Sequence, residues 1–390
     1  MSGSNPAGLR NARGSHRILI VAPSPPPYGG MALQARQLET LLRNDGNRAG
    51  IFPSNLPFPK GLHFLDRLRY VRAFARCLLI WIKLPRGIRH TDIVHIFAAS
   101  WWYFFLVVAP AVIWGRWFGK RVIINYRSGE GKAFFRSYGW LAKPVFRLAS
   151  AVTAPSEFLA QPMRERFGLA VLVVPNFIDF TAFRFRERHV FQPQMLITRH
   201  LIKIYGVETV LRAFRAVQEH RADSSLWIAG TGDQEESLRH LAADWNLKNL
   251  RFLGNVAHEE LPAIYDQCDI LLNGSYVDNF PASLLEASAS GLVVISTRAG
   301  GIPFLYENGK NAILVEPGDW KGLAAGVERV LADPSLGRSL AEEALRMCRQ
   351  FDWENVRTLL YRSYKLAVPQ AIESESRHIA GAERSLAGPR

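Results

Sequence analysis

From Arg17 onward, short apolar runs alternate with stretches whose apolar residues recur every three or four positions. RILIVA (17–22) reads as a strand, PSPPPYGG cannot hold regular structure, and MALQARQLETLL has helical spacing. The unit repeats: DIVHIFA then WWYFFLVVAPAVIWGRWFG, KRVIINY then a polar loop and a helix, SAVTAP then SEFLAQPMRERFG, and finally AVLVVPN. This alternation predicts a doubly wound α/β domain with a mainly parallel sheet over 17–180. Periodicity lapses in NFIDFTAFRFRERHVFQ (176–192), which reads as a linker. A second series follows over 181–352, with QMLITR, SLWIAG, LRFLG, DILLNG, LVVIST and NAILVEP as strands and helical stretches between them. A last helix, 353–369, is expected to pack back on the first domain. The polar stretches 1–16 and 370–390 read as flexible tails. Two such α/β domains are expected to face a central cleft lined by the carboxyl ends of both sheets, where ligands bind.

The length of 390 residues suits two domains. A formal charge of +14 points to an anionic partner: nucleic acid, anionic lipid or a phosphate-bearing substrate. No nucleic-acid module or basic-aromatic repeat is visible, so nucleic acid is not expected. Cys77, Cys268 and Cys348 have no pairing or metal-ligand spacing, which argues against a disulfide or zinc framework and for a reducing compartment. With no signal peptide visible, the expected location is cytoplasmic.

The stretch DNFPASLLEASASG places Asp278 before an apolar helix that carries Glu286, with seven residues between the two acids. In a strand–loop–helix unit this loop lies over the carboxyl edge of the sheet. Asn279 and Phe280 then offer backbone N–H groups at a helix start, Pro281 fits the first turn, and the helix dipole favours an anion. Two roles stay open on these residues alone. Either Asp278 faces a reacting sugar while Glu286 accepts from a ribose diol, or Asp278 caps the helix and Glu286 is solvated.

The longer stretch, through GLVVISTRAGGIPFLYENGKNAILVEPGD, resembles the nucleotide-sugar site of glycosyltransferase family 4. That resemblance implies a GT-B fold of two Rossmann-like domains. It also implies retaining hexosyl transfer from a UDP- or GDP-sugar; no Asp-x-Asp metal motif is evident in the chain, so no metal or other cofactor is expected to be required. Asp278 occupies the position of the family's first Glu, Glu286 the second, and Gly300-Gly301 its Gly-Gly. LWIAGTGDQEESL resembles the Gly-x-Gly turn, at Gly230 and Gly232, and PNFIDFTAF the family's linker. Arg199 matches the Arg of the phosphate clamp, and Lys203 lies one residue nearer to it than usual. The implied catalytic residues are Asp278, Arg199 and Lys203. Glu286, Asn279, Phe280, Pro281, Gly230, Gly232, Gly300 and Gly301 bind the donor, joined by Gly29, Gly30 and Arg127 from the first domain. Arg127 stands where the family often has His, and Phe304 where Glu is common. His95, inside an apolar strand, reads as a core or edge residue rather than a catalyst. Rival readings are a GT-B epimerase or phosphorylase, or a non-catalytic basic membrane-binding protein.

Helix 62–84 carries Arg69, Arg72, Arg76 and Lys83 on one face and Leu78, Leu79 and Ile82 on another. A basic amphipathic helix suits an anionic membrane surface. The expected setting is therefore peripheral, at the inner face of a bacterial membrane, acting on a glycan or lipid-linked acceptor in polysaccharide or glycolipid synthesis. The uncharged run 93–115 is long enough to suggest a membrane span, but Ser100 and Pro110 interrupt it, and the alternation needs a strand followed by a buried helix there.

Overall fold

The computed structural model describes residues 15–24, 30–56 and 69–365, side chains of 69–74 excepted. The chain divides into two compact units. The first draws on Met1–Ala154, Pro162–Leu172 and Arg362–Arg390; the second is Pro155–Gln161 with Val173–Tyr361.

The first unit contains strands β1 (Arg17–Ala22), β2 (Arg48–Pro53), β3 (Ile93–Ala98), β4 (Arg121–Tyr126), β5 (Ala151–Ala154) and β6 (Val171–Val173). Its helices are α1 (Gly30–Asn44), α2 (Arg69–Arg89), α3 (Trp101–Tyr103), α4 (Ala109–Trp117) and α5 (Gly131–Leu148), with α6 (Glu157–Phe167) shared between the units. The sheet order is β2-β1-β3-β4-β5-β6, with parallel pairing across β1–β5. Every residue of β3 is buried, as expected for a parallel strand covered on both faces. The connections β2-α2-β3, β3-α4-β4 and β4-α5-β5 all step the same way along the sheet. Right-handed crossovers therefore put α2, α4 and α5 on one face, where α2 packs on α4 and α4 on α5.

The uncharged run 93–115 resolves into β3, α3, a π-helical turn Phe104–Val108 and most of α4. Among the described residues no helix is long and apolar enough to cross a membrane. α2 runs to Arg89, past Pro85, rather than stopping at 84; residues 62–68 of the expected basic helix lie outside the described residues. Its packed stripe is Ile80, Leu84 and Ile88, whereas Leu78, Trp81 and Ile82 face outward.

His95 is fully buried. Its Nδ1 lies 3.0 Å from the Tyr364 hydroxyl and its Nε2 3.3 Å from Asn125 Nδ2. Burial, with the Arg127 charge, pushes its pKa down to about 3, so the ring is neutral at ordinary pH. Tyr364 belongs to the last turn of the final helix, and that turn counts with the first unit.

The second unit holds β7 (Gln194–Thr198), α7 (Val207–His220), β8 (Ser225–Ala229), α8 (Glu235–Asp244), β9 (Leu250–Gly254), α9 (Leu261–Asp266) and β10 (Ile270–Leu272). These are followed by α10 (Ala282–Ala289), β11 (Val293–Thr297), β12 (Ile313–Val315), α11 (Trp320–Ala332), α12 (Pro334–Cys348) and α13 (Trp353–Lys365). Its sheet order is β12-β11-β10-β7-β8-β9, all parallel. Strand alternation divides the core: Met195 and Ile197 join one apolar cluster, Leu196 the other.

The expected linker is fastened to this unit. Arg188 is buried, donates from Nε to Asp269 at 2.8 Å, and bonds the carbonyls of Arg186, Ser290, Tyr265 and Cys268. Asp269 also receives Arg186 at 2.6 Å and the Gln192 N–H at 2.7 Å.

Candidate active site

In the second unit β7 and β10 are neighbours, yet the chain leaves β7 toward β8 and leaves β10 toward β11. This reversal opens a crevice at the carboxyl ends of the two strands, where ligands bind in doubly wound sheets. Arg199 directly follows β7, and Asn273 to Asp278 follow β10.

The two loops meet through an ion pair between the Arg199 guanidinium and the Asp278 carboxylate, side chains only 12% and 10% exposed. The guanidinium lies 4.1 Å over the Tyr205 ring and donates to Ser275 Oγ at 3.2 Å. Ser275 is itself held by Asn273 Oδ1 (2.8 Å), and Asn273 by Ser296 on β11 (2.9 Å). Burial works against the Arg199 charge, while Tyr205 and Tyr265 support it. Among the described residues Arg199 Nε has no acceptor.

Asp278 does not cap α10. Its Oδ1 accepts from the Asn279 N–H at 2.9 Å, and the residue before the helix is Pro281, with no side-chain cap. The sequence places Pro281 in the first turn; the structure instead puts it just before that turn, at the N-cap. Its φ of −72° with ψ of 114° is extended, so the chain enters the helix only at Ala282. The Phe280 ring is buried edge-on to Phe351, 5.2 Å between centroids, and its carbonyl accepts from Asn176 Nδ2 at 3.0 Å.

Glu286 is not solvated. It is buried on α10, and its Oε2 accepts from the Tyr265 hydroxyl at 3.0 Å. The same hydroxyl lies 2.8 Å from Thr198 Oγ1, so Tyr265 joins the end of β7 to α10. Burial raises the Glu286 carboxyl to about 7, against a smaller lowering by the Tyr265 bond.

The glycines seat these loops. Gly300 has φ +56°, and a Cβ there would strike the Asp278 carbonyl; one on Gly301 would strike that of Asn279. The Gly301 N–H donates to Asp278 O at 2.8 Å. A Cβ on Gly230 would meet the Arg199 carbonyl, and one on Gly232 that of Leu201. Both pairs therefore let backbone pack on the loop that carries an ionic side chain of the site.

Lys203 is exposed, at the start of the 3₁₀ turn Lys203–Tyr205, and takes no part in the Arg199–Asp278 pair. Phe304 is 54% exposed, 6.2 Å from the Phe158 ring. In the first unit Arg127 follows β4; its N–H donates to Ala98 O (2.9 Å), and its guanidinium lies 4.7 Å over Phe97. Burial lowers its pKa to about 10. Gly30 opens α1 with open space around it, and Gly29 lies outside the described residues. Thr198, Tyr205, Tyr265 and Ser275 were not singled out by sequence. Each lies in or beside an ordinary apolar segment, and no spacing along the chain marks them.

The whole fold is shared with known structures. Anabaena HepE, solved in complex with UDP and glucose, superposes with a TM-score of 0.69 at 18% identity, covering 89% of this chain and 99% of that one. The family profile described as Glycosyl transferases group 1 matches residues 179–347, and that described as Glycosyltransferase Family 4 matches 10–182. The chain is a glycosyltransferase of the GT-B fold. Among curated relatives, the glycogen synthase of Mycobacterium tuberculosis is 27% identical to this glycosyltransferase over 90% of the chain and 95% of its own length. A GDP-mannose-dependent alpha-(1-6)-phosphatidylinositol monomannoside mannosyltransferase of Mycolicibacterium smegmatis is 27% identical over 50% of the chain and 59% of its own.

Proposed function

We propose that this glycosyltransferase moves a hexosyl group from a nucleoside diphosphate sugar to an acceptor hydroxyl, with retention at the anomeric carbon. The observation that carries the reading is the Arg199–Asp278 pair at the β7/β10 crevice, with Glu286 buried behind it through Tyr265. The relatives support a nucleotide-bound donor: HepE was solved with UDP and glucose, and the mycolicibacterial relative is named for GDP-mannose.

In the reaction the bond from the anomeric carbon to the diphosphate breaks, and one to the acceptor oxygen forms on the same face. The acceptor proton passes to a departing phosphate oxygen. Charge grows on that phosphate as the bond breaks. Arg199 is held ready by Asp278, Ser275 and Tyr205, and stabilises that charge without reorganising. Lys203, exposed on the same connection, adds a second cation. Asp278 orients donor sugar hydroxyls, and Glu286 accepts from the ribose diol. No metal or other cofactor is needed, and transfer continues in EDTA. The acceptor is a glycan carried on lipid at the inner face of a bacterial membrane.

A thermal-shift screen of nucleotides and nucleotide sugars identifies the donor, because a ligand of the folded state raises the midpoint. NMR of the product then reads its anomeric configuration. A product of inverted configuration would sink the retaining mechanism. Conversion of the donor without acceptor would indicate an epimerase, and strict dependence on inorganic phosphate a phosphorylase.

A further inference from the structure

In the first unit, large apolar side chains face solvent on three neighbouring helices. Trp81 and Ile82 do so on α2, Ile113 and Trp117 on α4, Trp140 and Leu141 on α5. Trp117 is 79% exposed and Trp140 75%. Trp81 is held outward by its Nε1, which donates to Leu106 O at 2.9 Å. These helices lie side by side on one face of the sheet, so the exposed residues share one layer. Large apolar exposure on adjoining helices of one layer marks an interaction surface.

The charge on the same helices is one-sided. α2 carries six Lys or Arg, α4 one and α5 four, and none of the three has an Asp or Glu. Lys83, Arg86, Arg89, Arg116, Arg136 and Arg147 are exposed.

We propose that the outer face of α2, α4 and α5 docks on an anionic bilayer, with Trp117 and Trp140 entering the headgroup boundary and the Lys and Arg side chains meeting lipid phosphates. Indole suits that boundary because it is an apolar body with one N–H donor. Juxtaposed cations add attraction to anionic lipid that salt weakens. A second copy of the chain fits poorly, because a symmetric contact would set this basic face against itself. Nucleic acid would use the cations but gain nothing from the exposed aliphatic side chains, whereas lipid uses both.

The inference deepens the reading of a membrane-borne acceptor. It is tested without donor or acceptor, so its outcome is separate from that of catalysis. The full chain is sedimented with vesicles of phosphatidylcholine alone and of equimolar phosphatidylcholine and phosphatidylglycerol. Binding to the anionic vesicles is expected, falling as salt rises. Trp117→Ser with Trp140→Ser should weaken it about tenfold or more, with an unchanged circular dichroism spectrum. Arg116→Gln with Arg136→Gln and Arg147→Gln should weaken it and flatten the salt dependence. Equal binding to neutral vesicles, or wild-type binding by both variants, would overturn the proposal. So would a wild-type dimer that dissociates in the tryptophan variant and binds no vesicles, or a single-stranded oligonucleotide bound in place of lipid.

Discussion

Arg199 and Asp278 form one device and should be read together. Asp278→Asn keeps the size and the Asn279 contact but removes the charge that holds Arg199. It should fold normally and lose most transfer, seen as a fall in kcat. Arg199→Ala should lower turnover about 10²–10³-fold, as for loss of a donor aimed at developing charge; near-normal turnover would remove Arg199 from the mechanism. Glu286 gives a pH test. Its carboxyl is raised from 4.5 to about 7, so the folded state keeps a proton that the unfolded chain releases earlier. Stability from this group is full below pH 4.5 and is lost as pH rises toward 7, by up to about 3 kcal/mol. Glu286→Gln should flatten that slope in denaturant titrations. Both acids were legible in the sequence because they lie on one short segment with the family's spacing. Their partners were not: Arg199 pairs with a residue far along the chain, and Tyr265 reaches Glu286 from another helix. Such contacts exist only once strand order is known.

Among the elements, the alternating pattern shows the parallel strands clearly, because strands covered on both faces read as continuous apolar runs. α2 shows where pattern stops. It has an apolar stripe toward the sheet, Ile80, Leu84 and Ile88, and another outward, Leu78, Trp81 and Ile82. Periodicity identifies a helix with two such stripes without choosing the packed one. The stretch 176–192 looked like a plain connection because it lacks periodicity, yet Arg188 makes it part of the second unit. Arg188→Ala leaves Asp269 and several carbonyls short of a donor in a buried place. It should cost about 3–5 kcal/mol, the range for breaking a buried pair from one side, measured as a loss in unfolding free energy. A loss below about 1 kcal/mol would show that Arg186 and the Gln192 N–H suffice for Asp269.

Across the whole molecule, the charge of +14 is unevenly placed, with the acid-free helices α2, α4 and α5 all in the first unit. Composition reports the excess and not its address. The same unit depends on a residue remote in sequence, since Tyr364 satisfies buried His95. Tyr364→Phe keeps the ring and removes the hydroxyl. It should lower stability by about 1–3 kcal/mol through an unsatisfied imidazole nitrogen, with faster hydrogen exchange in β3; unaltered exchange there would assign the contact no anchoring role.

That split composition has a consequence for biosynthesis. The second unit draws almost all its residues from one continuous stretch, Val173–Tyr361, whereas the first also needs residues beyond it. A ribosome delivers β3 early and Tyr364 some two hundred and seventy residues later. Domains usually fold in the order they emerge. Here the unit begun first is completed last, and until then His95 waits without its phenol.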